Sequence, residues 1–181
     1  MFTLQLGHPT IKQYAPKQYA AVRDVLLELF RENEESSYLF WNNIPIALRY
    51  SIDLFANFDS ILAMTWLLGR DEKGCTVVQF TNQLLKAEWT IQWHQDECSI
   101  NGSFEAHEDL YASYANALNE SGKLEVSKNA FLAEWNTLLH QILVAIDASE
   151  NTIQDGTERR KMELLQRTEQ AIGRYGSIYT R

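Results

Sequence analysis

The chain has 181 residues, 45% of them hydrophobic, with five Trp, eight Tyr and eight Phe and a formal net charge of −8. This apolar and aromatic content excludes a mainly disordered chain, and the length suits one domain that buries roughly 70% of its unfolded surface. Residues 1–150 hold 20 acids and 10 bases, a balance of −10, while residues 151–181 hold 4 acids and 6 bases, a balance of +2; a body this acidic repels nucleic acid and anionic membrane.

Residues 2–6 predict a short strand ahead of a turn at Gly7, His8 and Pro9. Pro16 opens a helix running to about Arg31, because a missing N–H does no harm in the first turn. Tyr19, Val22, Val25, Leu26, Leu29 and Phe30 form its buried stripe, and the polar run Glu32–Ser37 ends it. The period then becomes two. Ile44, Ile46, Leu48, Tyr50, Ile52 and Leu54 alternate with more polar neighbours, which predicts a long half-buried strand, and Pro45 places it at an edge. Further strands are expected at 61–69, 75–81, 86–94 and 98–105. Registers that set Leu54 against Leu62, Gly69 against Cys75 and Trp93 against Ile100 put apolar on apolar throughout.

Three helices follow. The first, about 107–121, has Glu108 and Asp109 in its first turn, where the dipole favours them, and stops at Gly122. Its Tyr111 and Tyr114 fit either core or rim. The second, about 127–148, takes Ser127 as its cap and carries a wide apolar stripe with Trp135 in it, as a central core helix should. After a polar linker at 149–157, a weaker helix at 158–173 has Met162, Leu165 and Ile172 on one side and meets Gly173 and Gly176. The expected fold is α+β in a single domain over 1–181. An N-terminal helix precedes an antiparallel five-stranded β-meander, one face of the meander is covered by the C-terminal helices, and segment 158–176 is the most loosely docked.

The chemistry-bearing motifs are few. There is no glycine-rich phosphate loop, no Gly-x-Ser-x-Gly elbow, no His-Glu-x-x-His and no Cys-x-x-Cys. No catalytic residue, cofactor or metal is therefore assigned. Cys75, His94 and Cys98 fall near one end of the expected sheet, but strand alternation points Cys98 inward and the other two outward, which argues against zinc. Two strand spacings, about 9–10 Å, also separate the thiols beyond disulfide range. His8 offers no constellation, and His140 among leucines reads as a hydrogen-bonded boundary residue. Met1–Thr10 lacks a signal-peptide pattern, no apolar run reaches transmembrane length, and two free thiols suit a reducing compartment, so a cytoplasmic location is expected.

What stands out is charge. Between Lys86 and Lys123 there is no Lys or Arg, while Glu88, Asp96, Glu97, Glu105, Glu108, Asp109 and Glu120 all lie there, on a hairpin and the start of a helix. The register that matches Trp93 to Ile100 sets Glu88 opposite Glu105 on the polar face. Like charges so placed cost up to about 1 kcal/mol unless a cation approaches, whether Lys86 of the same strand or a partner's Arg or Lys. Leu67 and Val77 would add an apolar spot to the same face, as in a protein interface with a polar rim. The surface therefore attracts a basic protein.

The acidic meander at 86–109 and the segment Val126–Trp135 that follows give the chain a layout that resembles the small, acidic, aromatic-rich cytoplasmic immunity proteins of bacterial polymorphic toxin systems. The resemblance spans most of the chain and matches no motif residue by residue, so it transfers no functional residue. It implies a non-enzymatic inhibitor that occludes a basic toxin. Glu88, Asp96, Glu97, Glu105, Glu108 and Asp109 would steer the partner, with Gln92, His94 and Asn101 supplying directional hydrogen bonds. Two other readings stay open: an acidic secretion or assembly chaperone holding a client, which a homodimer would favour, and a small enzyme with a pocket between helix 16–31 and the sheet.

Overall fold

The computed structural model describes residues 1–7, 15–30 and 36–176. His8, Pro9 and the polar run Glu32–Glu35 fall outside the described residues. The architecture is α+β with antiparallel main sheets. Strand β1 (Phe2–Gln5) matches the short strand expected at the start. The first helix does not begin at Pro16. Residues Gln18–Tyr19 instead form a two-residue strand, β2, whose backbone is engaged by the distant segment 151–154: Lys17 N–H donates to Asn151 Oδ1 at 2.9 Å, and Gln154 N–H donates to the Tyr19 carbonyl at 2.9 Å. Helix α1 is thereby confined to Val22–Leu29, with Val22, Val25, Leu26 and Leu29 buried as the stripe predicts.

The long strand expected over 44–54 ends at Arg49, where it is the second strand of a hairpin, and a turn follows. Strand β3 (Ser36–Trp41) and strand β4 (Ile44–Arg49) are joined by Asn42 and Asn43, both at positive φ (46° and 70°). That is the backbone a two-residue hairpin turn requires, and asparagine tolerates it. After Arg49 the chain curls into one π-helical turn, Tyr50–Leu54. The buried Asp53 carboxylate holds this reversal by accepting the Arg49 N–H at 2.7 Å and the Gln83 N–H at 3.2 Å. The period of two runs on past the point where the strand ends, and Ile52 is exposed as a result.

The largest correction falls on 61–69. This segment is not a strand but part of helix α2 (Phe58–Arg70), so the registers through Leu62 and Gly69 do not exist. A short continuous apolar run is compatible with a buried strand or a buried helix, and Leu-, Ala- and Met-rich composition favours the helix. Its Phe58, Ile61, Leu62, Met64, Thr65 and Leu68 face the core.

Strands β5 (Lys73–Thr81), β6 (Leu85–His94), β7 (Glu97–Ala106) and β8 (Leu124–Ser127) form an antiparallel four-stranded meander, where five strands were expected. Between β7 and β8 a short 3-10 turn, Asp109–Tyr111, leads into helix α3 (Ala112–Glu120), and Gly122 at φ +78° closes it. Helix α4 (Lys128–Ser149) begins at the predicted cap, with Ser127 Oγ accepting the Ala130 N–H at 3.2 Å. Strand β9 (Thr152–Ile153) pairs in parallel with β2, and helix α5 (Gly156–Gly176) lies against α4 and α2, burying Leu165 and Ile172.

A separate three-stranded sheet, ordered β1-β3-β4, meets the four-stranded one through an aromatic cluster. Trp41 lies 5.4 Å from Trp89 and 5.1 Å from Phe104 between ring centroids, Phe80 lies 4.3 Å from Trp89, and Phe2 lies 4.6 Å from Phe131 on α4. Trp135 is in this core too. The inner face of the four-stranded sheet is thus covered by the smaller sheet and α4. Among the described residues no helix is long and apolar enough to cross a membrane.

Candidate protein-binding surface

Among the described residues, no element covers the outer face of the β5–β8 sheet. Strand alternation sends Val78, Leu85, Trp89, Ile91, Trp93, Cys98, Ile100 and Phe104 inward, where all are buried. It sends Lys73, Cys75, Val77, Gln79, Lys86, Glu88, Gln92, His94, Glu97, Asn101, Ser103, Glu105 and Glu125 outward, where all are exposed. Six of the nine residues expected to bind a partner, Glu88, Gln92, His94, Glu97, Asn101 and Glu105, therefore share one open face.

Their register differs from the expected one by two residues. Trp93 pairs with Cys98 and Ile91 with Ile100, because the β6–β7 loop is a two-residue turn, Gln95-Asp96, with Gln95 at φ 55°. A shift of two keeps every side chain on its face but changes its neighbour. Glu88 consequently faces Ser103, and Glu105 faces Lys86. The opposed carboxylate pair is absent; Glu88 instead accepts a hydrogen bond from Gln79 Nε2 at 3.3 Å. Glu88 and Glu105 still line one shallow trough with Lys86, Gln79 and Ser103. A second trough, near the other end of the strands, is lined by Lys73, Cys75, Gln92, His94, Glu97, Ser99 and Glu125.

Asp96 does not belong to the face. Its carboxylate accepts from Ser127 Oγ at 2.8 Å and from the Asn129 N–H at 2.9 Å, and its carbonyl accepts the Lys128 N–H at 2.6 Å. It satisfies donors at the start of α4, which any helix leaves unpaired. Glu108 and Asp109 lie beyond the far end of β7, at the entry to α3. Leu67 sits on α2 and packs against the core, so of the expected apolar spot only Val77 remains.

Sequence reasoning missed Glu125. It lies on β8 opposite Ser99, whose hydroxyl donates to it at 3.3 Å, and it pairs with Lys123, whose side-chain hydrogen bond holds the carboxyl below its ordinary range. The alternation Leu124-Glu125-Val126-Ser127 ahead of the α4 cap was the available signal. With Glu125 included, the outer face carries four glutamates, at 88, 97, 105 and 125, against Lys73 and Lys86.

The remaining candidates separate. Cys75 is exposed and Cys98 buried, on opposite faces, and burial pushes the Cys98 thiol up to about 12. Among the described residues no group of three or more His, Cys, Asp or Glu is placed to hold a metal ion. His140 Nδ1 meets Glu169 Oε1 at 3.0 Å on the surface, between α4 and α5. Tyr114 reaches across to β4 and donates to the Pro45 carbonyl, and burial raises its pKa to about 12. Between β4 and the β5–β6 hairpin lies a cavity of about 40 Å³ lined by Leu48, Asp53, Leu85, Trp89, Phe104 and Trp135. That is room for about one water rather than a substrate. Burial raises the pKa of Asp53 there, while both its oxygens serve backbone donors. No known protein family, curated protein or solved structure matches the chain.

Proposed function

We propose that the chain is a non-enzymatic protein-binding module, an immunity-type inhibitor whose open β5–β8 face seats on a basic protein and occludes it. The observation that carries the reading is the uncovered sheet face itself. Four strands present Gln92, His94, Asn101, Ser103 and four glutamates to solvent, and among the described residues no element is laid over them. None of these polar side chains is part of the buried core. A rigid, hydrogen-bonded sheet offers them at fixed spacing, so a partner binds without ordering them first. Glu88, Glu97 and Glu105 steer a basic partner, and Gln92, His94 and Asn101 set its orientation. Asp96, Glu108 and Asp109 leave the contact set or sit at its margins. An exposed free thiol at Cys75 suits work in a reducing cytoplasm.

The test is affinity capture from native extract at low and high salt, using the wild-type chain and the Glu88→Lys, Glu105→Lys double variant. The expected outcome is one basic protein that binds the wild-type chain, loses its toxic or enzymatic activity on binding, and is released by salt or by the double variant. Unchanged association and unchanged salt dependence in the variant would show that this face is not the binding surface.

A further inference from the structure

Among the described residues, several sheet edges carry side-chain hydrogen bonds. Glu134 Oε2 accepts the Leu4 N–H of β1 at 2.7 Å, and Asn82 Nδ2 and Tyr114 Oη donate to the Ala47 and Pro45 carbonyls of β4. Where β7 runs past the short β8, Asn119 takes both groups of Phe104, its Oδ1 accepting the N–H and its Nδ2 donating to the carbonyl, each at 2.9 Å. Asn57 does the same at the end of β5, accepting the Thr81 N–H at 3.0 Å and donating to the Thr81 carbonyl at 2.7 Å.

The rest of the β5 edge has no such closure. Thr81 turns its backbone groups away from β6, and Asn82 N–H bonds to the Leu85 carbonyl across the hairpin at 2.9 Å. In an antiparallel ladder these alternate strictly, so the even-numbered residues of β5 bond to β6 and the odd-numbered ones face outward. The N–H and C=O groups of Cys75, Val77 and Gln79 therefore lie along the free edge. Among the described residues no hydrogen bond to them is made from outside the sheet. The segment Gly74–Thr81, Gly-Cys-Thr-Val-Val-Gln-Phe-Thr, contains no charge and no proline and is rich in β-branched residues. Natural edges are normally protected by charges, prolines, bulges or a covering element; here Lys73 stands at the start of β5 and α2 packs beside it, and Gly74–Thr81 carries no charge or proline of its own. At its centre Val77 is 56% exposed.

The geometry points to a homodimer formed by antiparallel pairing of β5 with β5 of a second copy, on a twofold axis through Val77. The backbone groups of β5 allow the axis on an outward-facing residue or on the inward-facing one beside it, and the exposed side chain of Val77 places it there, because that choice covers both valines. Centring on Val77 sets Val77 against Val77 and Cys75 against Gln79, and the three outward N–H groups of each copy then meet three carbonyls of the other. Asn57 at Thr81 bounds the pairing at both ends. A second copy is the occupant because the strip carries no charge to guide a basic partner, and two neutral strips meet without opposing like charges. The exposed valines, otherwise in water, cover one another. The result is a continuous eight-stranded sheet, with the outer faces of both copies still open.

Sedimentation velocity of the purified full chain over a concentration series tests this. The expected species has twice the 20.9 kDa chain mass. Because each copy carries −8, added salt strengthens the dimer, opposite in sign to the proposed partner contact, so the two readings fail separately. Val77→Lys replaces the valine contact with two lysines face to face and raises the dissociation constant on the order of tenfold. Val144→Lys, at another exposed valine, leaves the dimer intact. Gln79→Cys, facing the partner's Cys75, yields a covalent dimer under mild oxidation. A chain that stays monomeric overturns the proposal and leaves the edge to a strand of another protein. A dimer indifferent to Val77→Lys also overturns it. So does cross-linking of the native chain through Cys75 alone, which would put the axis elsewhere.

Discussion

The two faces of the β5–β8 sheet are built on the same strands and the same ladder of backbone hydrogen bonds, yet they answer to different demands. On the inner face every side chain is matched to a neighbour in three dimensions. Trp93 lies over Gly74, where a Cβ would come within 2.3 Å of its ring, and Trp41 lies over Gly102, where a Cβ would come within 2.7 Å. Two tryptophans of the core thus depend on two positions that carry no side chain. On the outer face, among the described residues, no layer covers Thr90, Gln92, Asn101 and Ser103. The contrast teaches where to look for function. Packing accounts for the apolar composition of the inner face, whereas the polar side chains of the outer face are left in solvent.

The comparison breaks most readily at Trp89. Trp89→Ala removes a ring in contact with Phe2, Trp41 and Phe80, and is expected to cost about 3–5 kcal/mol by urea unfolding. Gln92→Ala, three residues along the same strand on the other face, should stay within about 0.5 kcal/mol. Equal losses would mean that the outer face is buried in the working protein. Gly102→Ala is next. Its new methyl meets the rings of Trp41 and Phe104 at 2.7 Å, and the expected loss is about 1–3 kcal/mol. A neutral result would mean that the two sheets can slide apart at this point.

The mildest probe leaves the fold untouched and reads the two cysteines. Only the thiolate reacts, and burial raises the Cys98 pKa to about 12, which favours the protonated thiol. A raised pKa stabilises the fold below the ordinary thiol pKa, and that contribution is lost as pH rises towards 12. At pH 8 a thiol reagent should therefore modify Cys75 alone in the folded chain and both cysteines once it is unfolded, as intact-mass spectrometry would count. Two labels on the folded chain would contradict the inward placement of Cys98.

Legibility differed along the chain for identifiable reasons. From β5 to β7 the strands are long, bounded by turn residues and strictly alternating, and the faces of Trp89, Glu88, Cys98 and Glu105 follow from that alternation alone. The register does not. A two-residue turn at Gln95-Asp96 and a four-residue loop serve the hydrophobic pattern equally well, because a shift of two preserves faces. That shift moved Glu88 away from Glu105 and set Lys86 there instead. Asp96 likewise looked like one more surface acid, since nothing local announces that α4 will begin beside it, 31 residues past the turn. In the N-terminal part the local signals competed. Ile61–Leu68 is apolar enough for either periodicity, and only contact with α4, α5 and β5 selects the helix. Ile44–Leu54 alternates throughout, but Asp53 capturing the Arg49 N–H ends the strand early.

The amino-acid sequence by itself determined the α+β class, the acidic run free of Lys and Arg, the α4 helix with its Ser127 cap, and which side chains of β5, β6 and β7 face solvent. These depend on composition, on local capping chemistry and on a period of two that survives register shifts. The tertiary structure alone decided the rest: the π-helical turn at Tyr50–Leu54, the helical state of α2, the split into two sheets, the pairing partners across each strand and the open edge at Cys75, Val77 and Gln79. Each of those is settled by contacts between residues far apart in the chain, where two local conformations cost nearly the same and the neighbour that can be buried against them chooses.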